Sequence, residues 1–89
     1  MKRIKVLVSG NVQGVSFRSF IKRKAVLLKL KGFVRNTPDG RVEALFEGSE
    51  EEIKKIIEIC RTGPETASVK SIEVIEEDYK AEFNSFSIL

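Results

Sequence analysis

The stretch Arg3–Leu28, RIKVLVSGNVQGVSFRSFIKRKAVLL, changes its hydrophobic period once, and that change decides the fold. Over residues 3–9 apolar and polar positions alternate. Ile4, Val6 and Val8 fall on one face and Lys5, Leu7 and Ser9 on the other, the pattern of a strand with one buried side. From Phe17 the repeat becomes helical, with Phe17, Ile21, Ala25 and Leu28 on one stripe. A loop with two glycines, Gly10 to Val15, joins the two. Lysines in the last turn up to Lys31, with Gly32 behind them, signal the end of the helix.

Downstream, Phe33-Val34-Arg35-Asn36, then Thr37-Pro38-Asp39-Gly40, then alternating Val42, Ala44 and Phe46 predict a hairpin. Proline presets a turn φ, Asp bonds its local backbone, and Gly accepts a left-handed conformation. Ser49 with Glu52 three residues on is a capping box. It opens a second helix whose stripe is Ile53, Ile56, Ile57 and Cys60, ended by Thr62-Gly63-Pro64. Residues 69–76 predict another strand, imperfectly alternating because Val69 is out of step with Ile72 and Val74. Phe83 to Ile88 predicts a last short one. The order is β-α-β-β-α-β with an extra short C-terminal strand. Two right-handed split βαβ crossovers would lay both helices on one face of an antiparallel sheet, an α+β fold of the ferredoxin-like type. A chain of 89 residues is one domain, 1–89, and with Met1 just before the first strand and the end just after the last a free-standing protein is expected; a monomer is expected as well.

Composition narrows the chemistry. Cys60 is the only cysteine and lies on an apolar stripe, so it reads as packing. Histidine is absent, which removes the commonest metal ligand and the commonest general base. Neither a metal nor a cofactor is expected. The run Val6-Leu7-Val8 is too short for a signal peptide and no stretch is long enough to span a membrane, so a cytoplasmic protein with no membrane partner is expected. Residues 1–41 hold eleven Lys/Arg against one acid, and residues 42–89 hold five against twelve. Two readings follow: complementary helix faces that pair in the fold, or a basic half that concentrates an anionic ligand around its site. Ten Lys and eleven Glu against one Gln and three Asn is the bias of heat-adapted proteins.

The loop Gly10-Asn11-Val12-Gln13-Gly14-Val15-Ser16-Phe17-Arg18 is where an anion belongs. Backbone N–H groups at a strand-to-helix junction are unsatisfied, and the helix dipole adds partial positive charge. Glycines let the backbone curve around an anion, and Arg18 adds a bidentate grip. The Gly-Lys-Ser/Thr of a Walker loop is missing. A glycine-bearing turn of this kind is more often merely a turn. Arg18 leans functional all the same, because a cation in a helix's first turn opposes the dipole unless an anion sits nearby. Asn36, at a strand end, equally suits bonding its own backbone before the turn.

The neighbouring residues add a resemblance. Gly10-x-Val12-Gln13-Gly14-Val15-x-Phe17-Arg18 resembles the first signature of the acylphosphatase family. Gly32-Phe33-Val34-Arg35-Asn36, with Gly40, Val42 and Gly48 beyond it, resembles the second. The likeness continues in outline through Gly63-Pro64 to Phe86-Ser87-Ile88. It implies hydrolysis of the carboxyl–phosphate bond of an acyl phosphate, with inorganic phosphate as product and inhibitor. It also implies that Gln13, Gly14, Val15, Ser16, Phe17 and Arg18 cradle the phosphate, mainly by backbone amides, while Asn36 holds the attacking water. The poverty of the site fits that chemistry. A carboxylate leaves with little or no protonation, and phosphoryl transfer then rests on positioning and charge stabilisation.

Other readings are a non-catalytic phosphate-binding or regulatory domain, and one domain of a larger carbamoyl-transferring protein. An RNA-binding module of the same topology would stack bases on aromatics of the open sheet face. That face is expected to carry Lys5, Leu7, Glu43, Leu45 and Glu47 with no aromatic, so nucleic acid is not an expected partner.

Overall fold

The computed structural model describes all 89 residues. In chain order the elements are β1 (Lys2–Asn11), α1 (Phe17–Leu27), β2 (Lys31–Asn36), β3 (Val42–Gly48), α2 (Glu50–Thr62), β4 (Ser68–Glu77) and β5 (Phe86–Ile88). Strand order in the sheet is β4-β1-β3-β2-β5. The alternating residues of β1 face the helices: Val6 lies opposite Ala44 on one side and Val74 on the other. Val6, Val8, Val34, Val42 and Phe46 of the sheet pack with Phe17, Ile21 and Ala25 of α1 and with Ile53, Ile56 and Cys60 of α2. Each Val, Ile or Phe among them contributes about 1.5–3 kcal/mol by leaving water.

Three expectations are corrected and one irregularity of the sequence is explained. First, α1 ends at Leu27 and Gly32 is not its stop. The Leu30 N–H reaches Ala25 O at 2.9 Å and the Lys29 N–H reaches Val26 O at 3.0 Å, with Lys29 left-handed at φ 59°. This is a Schellman closure made with lysine in place of glycine. Gly32 instead belongs to β2, where a Cβ would stand 1.8 Å from the Leu45 carbonyl oxygen.

Second, Val69 and Ile72 both pack against the core. The β1–β4 register slips between Ser9 and Gly10, so that Ser9 pairs Ser71 while Gly10 pairs Val69. Lys70 is the unpaired extra residue of a β-bulge, and one extra residue resets the alternation.

Third, the sheet is mixed. β5 covers Phe86–Ile88 alone and runs parallel to β2, Gly32 opposite Phe86 and Val34 opposite Ile88. Since β4 and β5 lie on opposite edges, residues 78–85 must cross the sheet, and they cross its open face. The carboxylate of Glu47 accepts the Lys80 N–H at 3.1 Å and the Glu82 N–H at 3.2 Å. Phe83 meets Phe33 edge-on at 5.9 Å, and Arg3 lies over the Phe83 ring at 5.6 Å. The open face therefore does carry aromatics, Phe33 from β2 and Phe83 from the crossing segment.

Fourth, the opposite charges of the two halves meet on this open face rather than between helices. Arg3 pairs with Glu47, Glu77 and Glu82, Lys5 with Glu43 and Glu77, and Arg35 with Glu43. Burial alone would raise the pKa of Glu47, but the Lys80 N–H, Arg3 and the Glu82 N–H outweigh it and hold the carboxyl below its usual range.

Candidate active site

Three apolar side chains pull the β1–α1 loop inward: Val12 and Phe17 are buried, and Val15 packs against the core. The residues between them are thereby turned outward. Gly14 takes φ 73°, with nothing within 4 Å of where a Cβ would stand, so its glycine is required by conformation and not by crowding. Ser16 is also left-handed, at φ 63° and ψ 22°, which costs a non-glycine residue about 1–2 kcal/mol. The hydroxyl of Thr66, from the α2–β4 connection, donates to Val15 O at 2.7 Å and pins the loop from outside.

These bends bring the loop into α1 with its amides free. The Phe20 N–H is the first to find a partner, Ser16 O at 3.1 Å, so those of Phe17, Arg18 and Ser19 precede the helical ladder. Ser16 stands at the cap position, but its side chain caps nothing. No acid occupies the first turn. The cations Arg18, Lys22, Arg23, Lys24 and Lys29 of α1 and its closing turn enter none of the chain's ion pairs. The cations of α1 are thus left unpaired, while Arg3, Lys5 and Arg35 of the sheet are paired.

A cavity of about 100 Å³ opens at this helix end, lined by Val12, Gly14, Ser16, Phe17, Arg18, Ser19, Asn36 and Ile88. Larger hollows exist, up to about 440 Å³ between Lys5, Arg35 and the β2–β3 turn. Size is not the criterion for a small tetrahedral anion. The buried side-chain polar atom that lacks a hydrogen-bond partner in this chain is Asn36 Oδ1, and Asn36 lines the small cavity. An unsatisfied buried acceptor costs about 1–3 kcal/mol, so its retention calls for a reason. Asn36 is the last residue of β2 and lies opposite Val42, with its side chain on the helix-bearing face.

Of the residues singled out by sequence, Gly14, Ser16, Phe17 and Arg18 line the cavity together with Asn36. Gln13 and Val15 do not. The Gln13 side chain turns to the β2–β3 hairpin, donating to Thr37 O and Arg41 O at 2.8 Å each. Arg18 Nη1 donates to Leu89 O at 3.0 Å. Ser19 and Ile88 also reach the cavity. Ser19 follows from helical geometry once the loop is placed, whereas Ile88 arrives only through the parallel pairing of β5. Cys60 is fully buried and its thiol is pushed up to about 12 by that burial, which leaves it inert. No three His, Cys, Asp or Glu side chains are grouped to hold a metal ion.

A family model described as acylphosphatase matches residues 4–88. An acylphosphatase of Syntrophus aciditrophicus is 48% identical over 89 residues, covering 100% of this chain and 93% of that protein. One of Pyrobaculum calidifontis is 50% identical over 88 residues, covering 98% of this chain and 80% of that protein. Among solved structures, the acylphosphatase from Bacillus subtilis superposes with a TM-score of 0.96 at 38% identity, covering 100% of this chain and 99% of that one.

Proposed function

Since the chain belongs to the acylphosphatase family, it is an enzyme that hydrolyses acyl phosphates, and we propose that it does so in the cavity between α1 and β2. The phosphoryl group sits at the start of α1, its oxygens accepting the free N–H groups of the loop and first turn while the Arg18 guanidinium grips them from the side. The acyl group projects outward past Ile88. The Asn36 side-chain amide holds a water in the cavity so that a lone pair of the water faces phosphorus. The water oxygen bonds to phosphorus as the bond to the carboxyl oxygen breaks. The electron pair leaves on the carboxylate, and the water's proton passes to a phosphate oxygen. Charge on the equatorial oxygens is held by donors already in place, so little reorganisation is needed at the moment of reaction.

The observation that carries this reading is a cavity lined together by Asn36, whose Oδ1 is unpartnered, by Arg18 and by a helix start free of acids. The unpaired cations along α1 favour approach of an anionic substrate, an effect that weakens as salt is added. No step calls on a metal or cofactor. The test is phosphate release from a synthetic acyl phosphate in excess chelator: an undiminished rate supports the mechanism. Loss of activity restored by added metal would overturn it.

The reading extends to a cytoplasmic monomer. No helix is long and apolar enough to cross a membrane. A lone unbridged thiol suits a reducing compartment. One end of the open sheet face, around Glu47 and Phe33, is covered by residues 78–85 of the same chain, which reduces the flat surface that a second copy could dock on.

A further inference from the structure

We infer that Gln13 is a positioning residue for the reaction, holding the hairpin that carries Asn36 at a fixed place against the phosphate cradle. The two halves of the site come from different parts of the chain: the cradle from the β1–α1 loop, and Asn36 from the end of β2. Gln13 sits one residue before Gly14, and Thr37 one residue after Asn36. One nitrogen joins them. Gln13 Nε2 uses both of its protons, one to Thr37 O and one to Arg41 O, at 2.8 Å each.

Those two carbonyls stand at the mouth of the β2–β3 turn and are already engaged within it. Thr37 O accepts the Gly40 N–H at 3.1 Å, and Arg41 O accepts the Thr37 N–H at 2.9 Å. A carbonyl has a second lone pair, which Gln13 fills at Thr37 O; at Arg41 O, where the Thr37 hydroxyl also comes within 3.1 Å, the shorter approach is that of Gln13. Both neighbours are pure acceptors, which fixes which end of the amide points at them, since an oxygen there would repel both. The demand is specific. Two protons on one neutral atom at this reach describe glutamine; glutamate has none to give, and asparagine is one methylene short. No other side-chain hydrogen bond ties the loop from Val12 to Ser16 to the hairpin from Asn36 to Arg41. Turned away from the cavity, the Gln13 side chain touches neither phosphate nor water. It acts by setting the distance between what holds the one and what holds the other, where a displacement of about 1 Å can cost about 10²-fold in rate.

The inference rests on the proposed role of Asn36, and the experiment separates the two. Gln13→Met keeps length and neutrality but has no donor. In the full chain, well below its melting temperature, Gln13→Met is expected to lower kcat about 10- to 100-fold while inhibition by inorganic phosphate changes less than about threefold. In an Asn36→Ala background the same change should lower kcat no further, because the group it positions is gone. An equal fall in both backgrounds, an unchanged kcat in the single variant, or a loss of phosphate inhibition in step with rate would each overturn the inference. A parent-like kcat in Asn36→Ala alone would overturn the reading of Asn36, and this one with it. Should Gln13→Met fail to fold, Gln13→Glu serves. Ionised it can only accept, but protonated it regains one donor, so its kcat relative to the parent should recover as pH falls through the carboxylate range. A flat ratio counts against the positioning role.

Discussion

The two helices begin in opposite ways, though each follows a strand and lies on the same sheet. At α2, Ser49 is extended at φ −69° and ψ 153°, and its hydroxyl accepts the Glu52 N–H at 3.4 Å. Glu50, Glu51 and Glu52 fill the first turn with negative charge where the dipole is positive. That helix start is satisfied from within. At α1, Ser16 is left-handed, its hydroxyl caps nothing, the first turn has no acid, and a cation stands at its second position. Helix geometry is common to both, so the difference lies in the partners: α2's first turn is satisfied by its own cap and acids, and α1's first amides find no partner within the chain, as the proposed anion site requires.

The largest expected effect comes from removing the groups around that anion. Arg18→Ala should abolish turnover and weaken inhibition by phosphate about ten- to a hundredfold, the worth of a charge-assisted contact of about 1.5–3 kcal/mol. Arg18→Lys should rescue poorly for want of the planar fork. Asn36→Ala should lower kcat by about 10²-fold or more, with phosphate inhibition nearly unchanged. If Asn36→Ala loses phosphate affinity as badly as Arg18→Ala, Asn36 is a ligand of the phosphate and not of the water.

Next in size is a transplant. Ser19→Glu gives α1 an acid in its first turn, as α2 has. It should weaken phosphate inhibition about tenfold or more by occupying the anion's place, yet stabilise the fold by about 0.3–1 kcal/mol. A variant that loses stability and keeps its phosphate affinity would erase the contrast between the two helix starts. The reverse change, Ser49→Ala at α2, should cost about 1 kcal/mol in thermal or denaturant unfolding and leave both kcat and KM where they were. The smallest effect lies on the hairpin that carries Asn36. The Thr37 hydroxyl and then Arg41 hold Asp39 at about 2, down from 3.8. A depressed carboxylate stabilises above its unfolded pKa and loses that contribution as pH falls through the folded one. Asp39→Asn should therefore be slightly less stable than the parent at neutral pH, and the gap should close as pH approaches 2.

Local features of this fold were legible in sequence where the deciding residues are neighbours. The change of period between Val8 and Phe17, the Thr37–Gly40 turn and the Ser49 cap each appear where the residues place them. The errors share a cause: each needed a partner strand to resolve. Gly32 looked like a helix stop because its reason for being glycine is the Leu45 carbonyl, thirteen residues on. Val69 was read correctly as out of step, but the reason, that Lys70 is extra relative to Ser9 and Gly10, lies in the partner strand. Phe33 was missed on the open face, and β5's parallel direction was not legible in three residues. The site divides the same way. Arg18 stood out by its place in the helix's first turn and Asn36 only by the family resemblance, and both line one cavity. Ile88 and the Gln13 side chain depend on long-range placement, to which spacing along the chain is blind.

The bulge at Lys70 also bears on how the molecule behaves when crowded. β4 is an outermost strand, with a row of backbone groups that another chain's strand could join, and β5 at the far edge offers only three residues to such a guest. A kink in β4, together with the exposed charges of Lys70, Glu73 and Glu76 along it, makes a flat, register-matched docking of a foreign strand unfavourable. The irregularity that corrects the alternation inside the protein thus also guards its rim against aggregation.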